Sequence, residues 1–182
     1  MKKRNILFFI LTVLLGGALH FLFEWTGKSV IAALFSPVNE SVWEHLKILA
    51  TPFLLLSAVE YGWYGKSMPN FFAAKALALW AGLIFIVAGY YTYTGILGKD
   101  FVAADIALSV AGAAAAWLYS YRLLKKGKYT SKKANARGLA AIVLTLLCFF
   151  VFTFVPPKIA LFRDPETGTF GVRETQGESA RH

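Results

Sequence analysis

Charged residues are scarce in this chain, and this scarcity excludes most classes of soluble protein. Aspartate, glutamate, lysine and arginine make up 16% of the 182 residues, whereas hydrophobic residues make up 57%. A soluble domain of this size has about 25% charged and about 45–50% apolar residues. The apolar residues form separate runs, each close to the ~20 residues with which a helix crosses a bilayer. The composition therefore predicts a polytopic membrane protein without room for a soluble domain.

Cysteine and histidine are almost as scarce. The one cysteine, Cys148, lies in an apolar run, so we expect neither a disulfide nor thiol redox chemistry. Phosphate-binding loops and dinucleotide fingerprints are absent from the sequence. Of the three histidines, His182 belongs to a polar tail, 173–182, which we expect to be disordered. Only His20 and His45 remain as histidines that a site in the body of the protein could use.

The apolar runs predict an all-α integral membrane fold with five transmembrane helices in one domain, 1–172. We place the helices at about 5–23, 37–64, 71–97, 101–124 and 138–155. Ser36 and Pro37 fit an N-cap and a first helical residue, which predicts that the second helix begins there. The preceding segment VIAALF is too short to span the membrane. We expect it to form a short interfacial or re-entrant piece.

The distribution of basic residues predicts the orientation of the chain. Five spans place 12 of the 19 basic residues and one acid, Glu60, on one side, with 7 basic and 9 acidic residues on the other. Because lysine and arginine accumulate on the cytoplasmic side, we expect a bacterial cytoplasmic membrane protein with its N-terminus inside and its C-terminus outside. We expect the basic run at 122–137 to help to set the topology and to contact anionic membrane lipids. We expect no binding to nucleic acid.

This orientation brings the unusual polar residues of all five helices to the outer end of the bundle. His20 and Glu24 are four residues apart, as are Glu40 and Glu44, and this spacing places two side chains on one helix face. The candidate site residues at this end are His20, Glu24, Asn39, Glu40, Trp43, Glu44, His45, Tyr90, Tyr91, Tyr93, Asp105, Arg163 and Asp164. Their convergence is the strongest functional signal in the sequence.

A divalent metal site is the first interpretation of this constellation. Imidazole and carboxylate groups bind zinc, manganese or iron, and the expected ligands are His20, Glu24, Glu44 and His45, with zinc as the expected ion. Neither pair has the spacing of a metalloprotease motif. A zinc-activated water could attack an ester, amide or phosphoester at the membrane surface. This predicts a metal-dependent membrane hydrolase that acts on a lipid or another surface substrate.

The remaining candidates have roles in that hydrolase hypothesis. The catalytic candidates are Glu40, Glu44 and Asp105, with Glu40 as the first choice for the general base. The substrate-binding candidates are Tyr90, Tyr91, Tyr93, Asn39, Trp43, Arg163 and Asp164. Taken alone, Asp105 is better explained by a hydrogen bond from a tyrosine hydroxyl than by catalysis.

Two other interpretations remain open. In the first, the protein transports or binds a cation or small solute, and Glu44, Lys47 and Glu60 line a polar track along a helix that Pro52 kinks. In the second, the polar groups only anchor the chain at the membrane surface, together with aromatic residues. The anchoring interpretation predicts ion pairs of Glu24 with Lys28, of Glu44 with Lys47 or Lys28, and of Glu60 with Lys66 or Lys75.

Four sequence motifs carry a resemblance to a known family. They are HFLFEW, SPVNESVWEHLK, YYTYTGILG and PPKIALFRDPETGTFG. With them the chain resembles an uncharacterised family of small bacterial membrane proteins, a domain of unknown function, over about 5–172. The resemblance supports five helices and implies no mechanism.

Overall fold

The computed structural model describes residues 2–172 of the chain, and these residues are predominantly helical. The α-helices are α1 (Lys2–Trp25), α2 (Val30–Phe35), α3 (Val42–Trp63), α4 (Phe71–Leu97), α5 (Val102–Lys126) and α6 (Lys132–Phe154). Short 3₁₀ turns occupy Gly65–Ser67 and Ala160–Phe162. Within this range β structure is limited to one bridge between Arg163 and Phe170. The all-α prediction is confirmed, whereas the predicted disordered tail, 173–182, lies outside the described residues.

Five of these helices, all but α2, are long and apolar enough to span a membrane. Large hydrophobic side chains such as Leu14, Ile84 and Leu144 are exposed on their lateral faces. Such faces are stable against lipid hydrocarbon and unfavourable against water. The predicted multi-pass membrane architecture is therefore confirmed. The six-residue helix α2 is too short to span, as its sequence predicted.

The predicted start of the second spanning helix at Ser36 and Pro37 is wrong. Ser36 is instead the C-cap of α2, where its backbone is extended (φ −124°, ψ 159°), and both its N–H and its hydroxyl donate to the carbonyl of Ala32. The cap of α3 is instead Ser41, whose hydroxyl accepts the N–H of Glu44 at 3.3 Å. Residues 36–41 form a loop, in which Asn39 Oδ1 accepts the N–H of Ser41. Glu40 consequently lies in this loop, before α3, and not in a helical first turn.

The boundary of the last helix also differs from its prediction. Helix α6 begins at Lys132, six residues before the predicted start, because the Ser131 hydroxyl accepts the N–H of Ala134 and caps it there. Hydropathy marks where a helix enters the hydrocarbon, whereas the cap marks where the helix begins. The polar first turns of α6 therefore extend beyond the apolar run.

The core of the bundle lies along α3, which contacts α1, α4 and α5. Phe53 of α3, Leu79 of α4 and Trp117 of α5 are at most 1% exposed and meet in one hydrophobic cluster. Helix α4 also packs against α5 and α6. Because successive spans run in opposite directions, the ends of α1, α4 and α6 meet the starts of α3 and α5. We call this the site end of the bundle.

Candidate functional site

His20, Glu40 and His45 converge at the site end. One potential ligand atom from each of these three side chains lies within 4.8 Å of the other two. The rings of His20 and His45 have their centroids 5.2 Å apart, and His45 Nε2 lies 3.3 Å from Glu40 Oε2. The three residues come from α1, from the 36–41 loop and from α3. The group is therefore assembled only when these elements pack together.

The hydrogen-bond partners of His45 define what its ring can do. Its Nδ1 lies 3.2 Å from the carbonyl oxygen of Ser41, which can only accept, so Nδ1 carries a hydrogen. Its Nε2 faces the carboxylate of Glu40, which also accepts when ionised. A proton or another cation must therefore lie between Nε2 and Glu40. A histidine that donates one ring N–H to a backbone carbonyl presents the other nitrogen in the orientation typical of a metal ligand.

Glu40 is held as a carboxylate, and both its side chain and its backbone N–H have partners that fix its position. The hydrogen bond from His45 lowers the pKa of the Glu40 carboxyl below its usual value, and this effect exceeds the opposing effect of burial. The backbone N–H of Glu40 donates to Asp164 Oδ2 at 3.4 Å. Asp164 is itself buried, and its Oδ1 accepts the N–H groups of Glu166 and Thr167. The turn after α6 thus positions the loop that carries Glu40.

His20 contributes a nitrogen that the protein leaves without a partner. Its Nδ1 is buried and makes no hydrogen bond to any described residue. A buried polar atom without a partner carries a free-energy cost and marks a place where a ligand can satisfy it. His20 therefore has a ring nitrogen available for a ligand beside the His45–Glu40 pair.

The structure does not bring Glu24 or Glu44, two of the predicted metal ligands, into this group of described residues. Glu24 is exposed and lies 3.8 Å from Lys28. Glu44 is buried, with Oε2 2.6 Å from Lys47 Nζ. Because neighbouring helical residues point about 100° apart, Glu44 cannot share the direction of His45. Both ion pairs agree with the anchoring interpretation.

Lys47 is the centre of a buried network that the sequence did not reveal in full. Its ammonium donates to the carbonyl of Ala33 at 2.8 Å, and the carbonyl of Ser36, at the end of α2, lies 3.4 Å away. It also donates to Thr153 Oγ1, which in turn donates to Glu44 Oε1. Thr153 lies in an otherwise apolar run, and its polarity within that run was the only signal of this role. The network joins α2, α3 and α6 beneath the candidate site.

Asp105 and the tyrosines of α4 form another wall of the site end. The hydroxyl of Tyr93 donates to Asp105 Oδ1, which confirms the predicted hydrogen bond. Tyr90 packs edge-on against Tyr91 and Tyr93. The Asp105 carboxylate is close enough to His45 to interact with it electrostatically. Asp105 is thus the acidic residue that α5 contributes to the site end.

The chain belongs to DUF6512, a family of unknown function. The family model matches residues 1–172, so the predicted resemblance to an uncharacterised family is confirmed. No significant match exists among curated proteins or among solved structures.

Two further substrate-binding candidates of this DUF6512 protein have unpartnered polar atoms. Asn39 Nδ2 and Trp43 Nε1 are both buried and make no hydrogen bond within residues 2–172. Asn39 adjoins Glu40 in the loop. Trp43 instead packs against Phe149 of α6 and Phe162 of the following turn, at centroid distances of 4.9 and 4.8 Å. Arg163, next to Phe162, is exposed.

The polar track expected of a transporter is interrupted in the DUF6512 structure. Glu60 pairs with Lys75 at the opposite end of the bundle and also accepts from the hydroxyl of Tyr64. Between Lys47 and Glu60, most of the buried positions on α3 are apolar, and they include Leu49, Phe53 and Leu56. The described residues thus form no continuous polar path along α3. Transport of a solute stays an untested prediction.

Proposed function

We propose that this protein is a metal-dependent membrane hydrolase whose ion, zinc by expectation, is held by His20, Glu40 and His45. The observation that carries the proposal is the approach of three ligand side chains from three separate elements to within 4.8 Å. Tetrahedral zinc with bonds of about 2.1 Å places its ligand atoms roughly 3.4 Å apart. The 3.3 Å between His45 Nε2 and Glu40 Oε2 fits this spacing. The third ligand atom, from His20, lies within 4.8 Å of the other two.

The number and type of the ligands favour a catalytic centre over a structural one. Structural zinc sites usually have four protein ligands, whereas catalytic sites have three and keep one position open. A divalent ion there would polarise a carbonyl or phosphoryl oxygen and activate water for attack. The substrate class is therefore an ester, amide or phosphoester presented at the membrane surface.

The other residues of the site end have roles in this proposal. Asp105, oriented by the hydroxyl of Tyr93, is the candidate proton acceptor. The unpartnered amide N–H₂ of Asn39 is a candidate donor to a substrate oxygen. Glu40, the first choice for the base from the sequence alone, is assigned to the ion because it already faces His45. We place this end outside the cell, on the basis of the loop charges.

Hydrolysis of lipid vesicles tests the proposal. Purified protein is reconstituted into phosphatidylglycerol vesicles, and release of fatty acid and of headgroup is measured with chelator and after zinc is restored. We expect release that chelator removes and zinc restores in the wild type. His45→Ala should lose activity together with zinc. Asp105→Asn should lose activity and retain zinc.

Glu24→Gln is the matched control, because Glu24 is an exposed carboxylate at the same end but outside the group. It should retain activity and zinc content. Hydrolysis that is insensitive to chelator, or that survives His45→Ala, would contradict the proposal.

A further inference from the structure

The loop at 36–41, which carries Glu40, is buried although it has no regular structure. All of its residues except Glu40 are buried. Its backbone groups therefore need partners within the protein, because a buried backbone N–H or C=O without one costs free energy. The N–H of Val38 donates to Glu44 Oε2 at 3.2 Å, and the N–H of Glu40 donates to Asp164 Oδ2 at 3.4 Å. Two alternate N–H groups of the loop thus bind buried carboxylates.

The Glu44 carboxylate is itself held by an ion pair and by a hydrogen bond. Its Oε2 lies 2.6 Å from the ammonium of Lys47, and its Oε1 lies 3.0 Å from the hydroxyl of Thr153. Lys47 in turn donates to the carbonyl of Ala33 at 2.8 Å. Glu44 and Lys47 are at most 2% exposed, so little water competes for these contacts. The acceptor that Val38 uses is therefore fixed relative to α2, α3 and α6.

The position of Val38 limits where Glu40 can lie. Only Asn39 separates the two residues, and two residues of extended chain span about 7 Å at most. A metal ligand must be placed accurately, because zinc forms bonds of about 2.0–2.2 Å to nitrogen and oxygen. A loop that could move at Val38 would let the Glu40 carboxylate leave His45 Nε2, from which it now lies 3.3 Å away.

We infer that Glu44 is a positioning residue for Glu40: held by Lys47 and Thr153, it keeps the loop in the conformation that presents Glu40 to the ion. The inference rests on the proposed function, because Glu40 is there a ligand of the metal. It gives a role to a carboxylate that lies outside the His20–Glu40–His45 group. Residues that orient a metal ligand from outside the coordination sphere change metal affinity by about 10–100-fold when they are substituted.

Amide hydrogen exchange of the metal-free protein in detergent, read by mass spectrometry on peptides that cover 36–41, tests this hold on the loop. Glu44→Leu with Lys47→Met replaces the ion pair by apolar side chains of similar size, an exchange that often leaves global stability unchanged. We expect the Val38 amide to exchange about ten- to a hundredfold faster, which corresponds to one hydrogen bond to a charged group. Zinc affinity, measured by titration, should fall about 10–100-fold.

Glu44→Gln with Lys47→Met is the conservative comparison. Both double variants lack the ion pair, but a glutamine side chain keeps an oxygen that can accept the Val38 N–H. This variant should therefore recover much of the slow exchange at Val38 and much of the zinc affinity. A role of the ion pair in stability alone would predict equal results for the two double variants.

The buried pair of Glu60 and Lys75 at the opposite end of the bundle supplies the matched control. Glu60→Leu with Lys75→Met makes the same replacement there and should change neither the exchange at Val38 nor the zinc affinity. Circular dichroism and gel filtration establish that each variant is folded.

The outcomes separate this inference from the proposed function. Exchange at Val38 that stays slow in Glu44→Leu with Lys47→Met, or that rises equally in the control at Glu60 and Lys75, would overturn the inference. Faster exchange with unchanged zinc affinity would overturn it as well. A wild-type protein that binds no zinc would instead contradict the proposed function, and with it the role of Glu40 as a ligand.

Discussion

At the scale of single residues, the site depends on which oxygen each polar group faces. His45 uses one ring nitrogen for a backbone carbonyl and the other for Glu40, and this arrangement requires a proton or another cation between the ring and the carboxylate. Glu44, the next residue back, faces Lys47 instead and forms a buried pair. Two acidic side chains of similar sequence context thus have different roles, one at the site and one beneath it.

Lys47 provides a residue-scale prediction. Lys47→Met removes the partner of a buried carboxylate, and breaking such a pair costs about 3–5 kcal/mol. We expect a lower free energy of unfolding, measured by thermal or denaturant unfolding in detergent. The double variant Lys47→Met with Glu44→Gln should recover much of the loss, because no unpaired charge remains buried.

The exposed pair of Glu24 and Lys28 is the control for this effect. Glu24→Gln should change the free energy of unfolding by less than about 1 kcal/mol. A single Lys47→Met variant as stable as the double variant would contradict the account of the network.

The residue pairs show what the sequence could predict and what it could not. The pairs Glu24–Lys28 and Glu44–Lys47 lie within four positions of each other, so helical spacing was enough to suggest them. The contact of Asp164 with the backbone of Glu40 joins positions 124 residues apart. No local pattern encodes such a contact, because it depends on how the turn after α6 docks.

At the scale of elements, the spanning helices were predictable and the loop before α3 was not. A membrane imposes length and hydropathy on each span separately, so each apolar run could be recognised by itself. The choice of cap between Ser36 and Ser41 is different. Ser36 is the C-cap of α2 and its carbonyl accepts from Lys47, whereas the hydroxyl of Ser41 accepts the N–H of Glu44 and caps α3. Because α3 begins only after Ser41, Glu40 lies outside the helix, where its carboxylate faces the ring of His45.

Two adjacent glycines in α1 provide an element-scale prediction. A Cβ on Gly16 would lie 2.7 Å from the carbonyl oxygen of Ile48 in α3, whereas a Cβ on Gly17 would meet nothing within 4 Å. Gly16→Ala should therefore separate α1 from α3 and lower the free energy of unfolding by about 1–3 kcal/mol. Because His20 lies one turn further along α1, zinc affinity should fall as well.

Gly17→Ala is the matched control on the same helix. It should leave zinc affinity unchanged and raise stability by up to about 1 kcal/mol. Equal effects of the two substitutions, measured by unfolding and by zinc titration, would show that close packing of α1 on α3 does not position His20.

At the scale of the whole molecule, the bundle has two polar ends separated by an apolar middle. The site end holds the His20–Glu40–His45 group, and the opposite end holds the Glu60–Lys75 pair together with most of the basic residues. The loop charges predict that the opposite end faces the cytoplasm. The proposed substrate access then belongs to the outer leaflet.

Cysteine labelling tests this orientation. In a Cys148→Ser background, Glu166→Cys and Lys128→Cys place one thiol at each end, at positions that are exposed. A membrane-impermeant maleimide should label the first variant on intact cells and the second only after lysis. The reverse pattern would contradict the predicted topology and place the site in the cytoplasm.

Zinc titration of the metal-stripped wild-type protein in detergent, followed by calorimetry, tests the central claim most directly. We predict one ion per chain, with affinity that falls as the pH is lowered, because the histidines must lose their protons to bind. His20→Ala, Glu40→Gln and His45→Ala should each abolish this binding, and Glu24→Gln should preserve it. A folded wild-type protein that binds no zinc, or whose binding survives all three substitutions, would contradict the account.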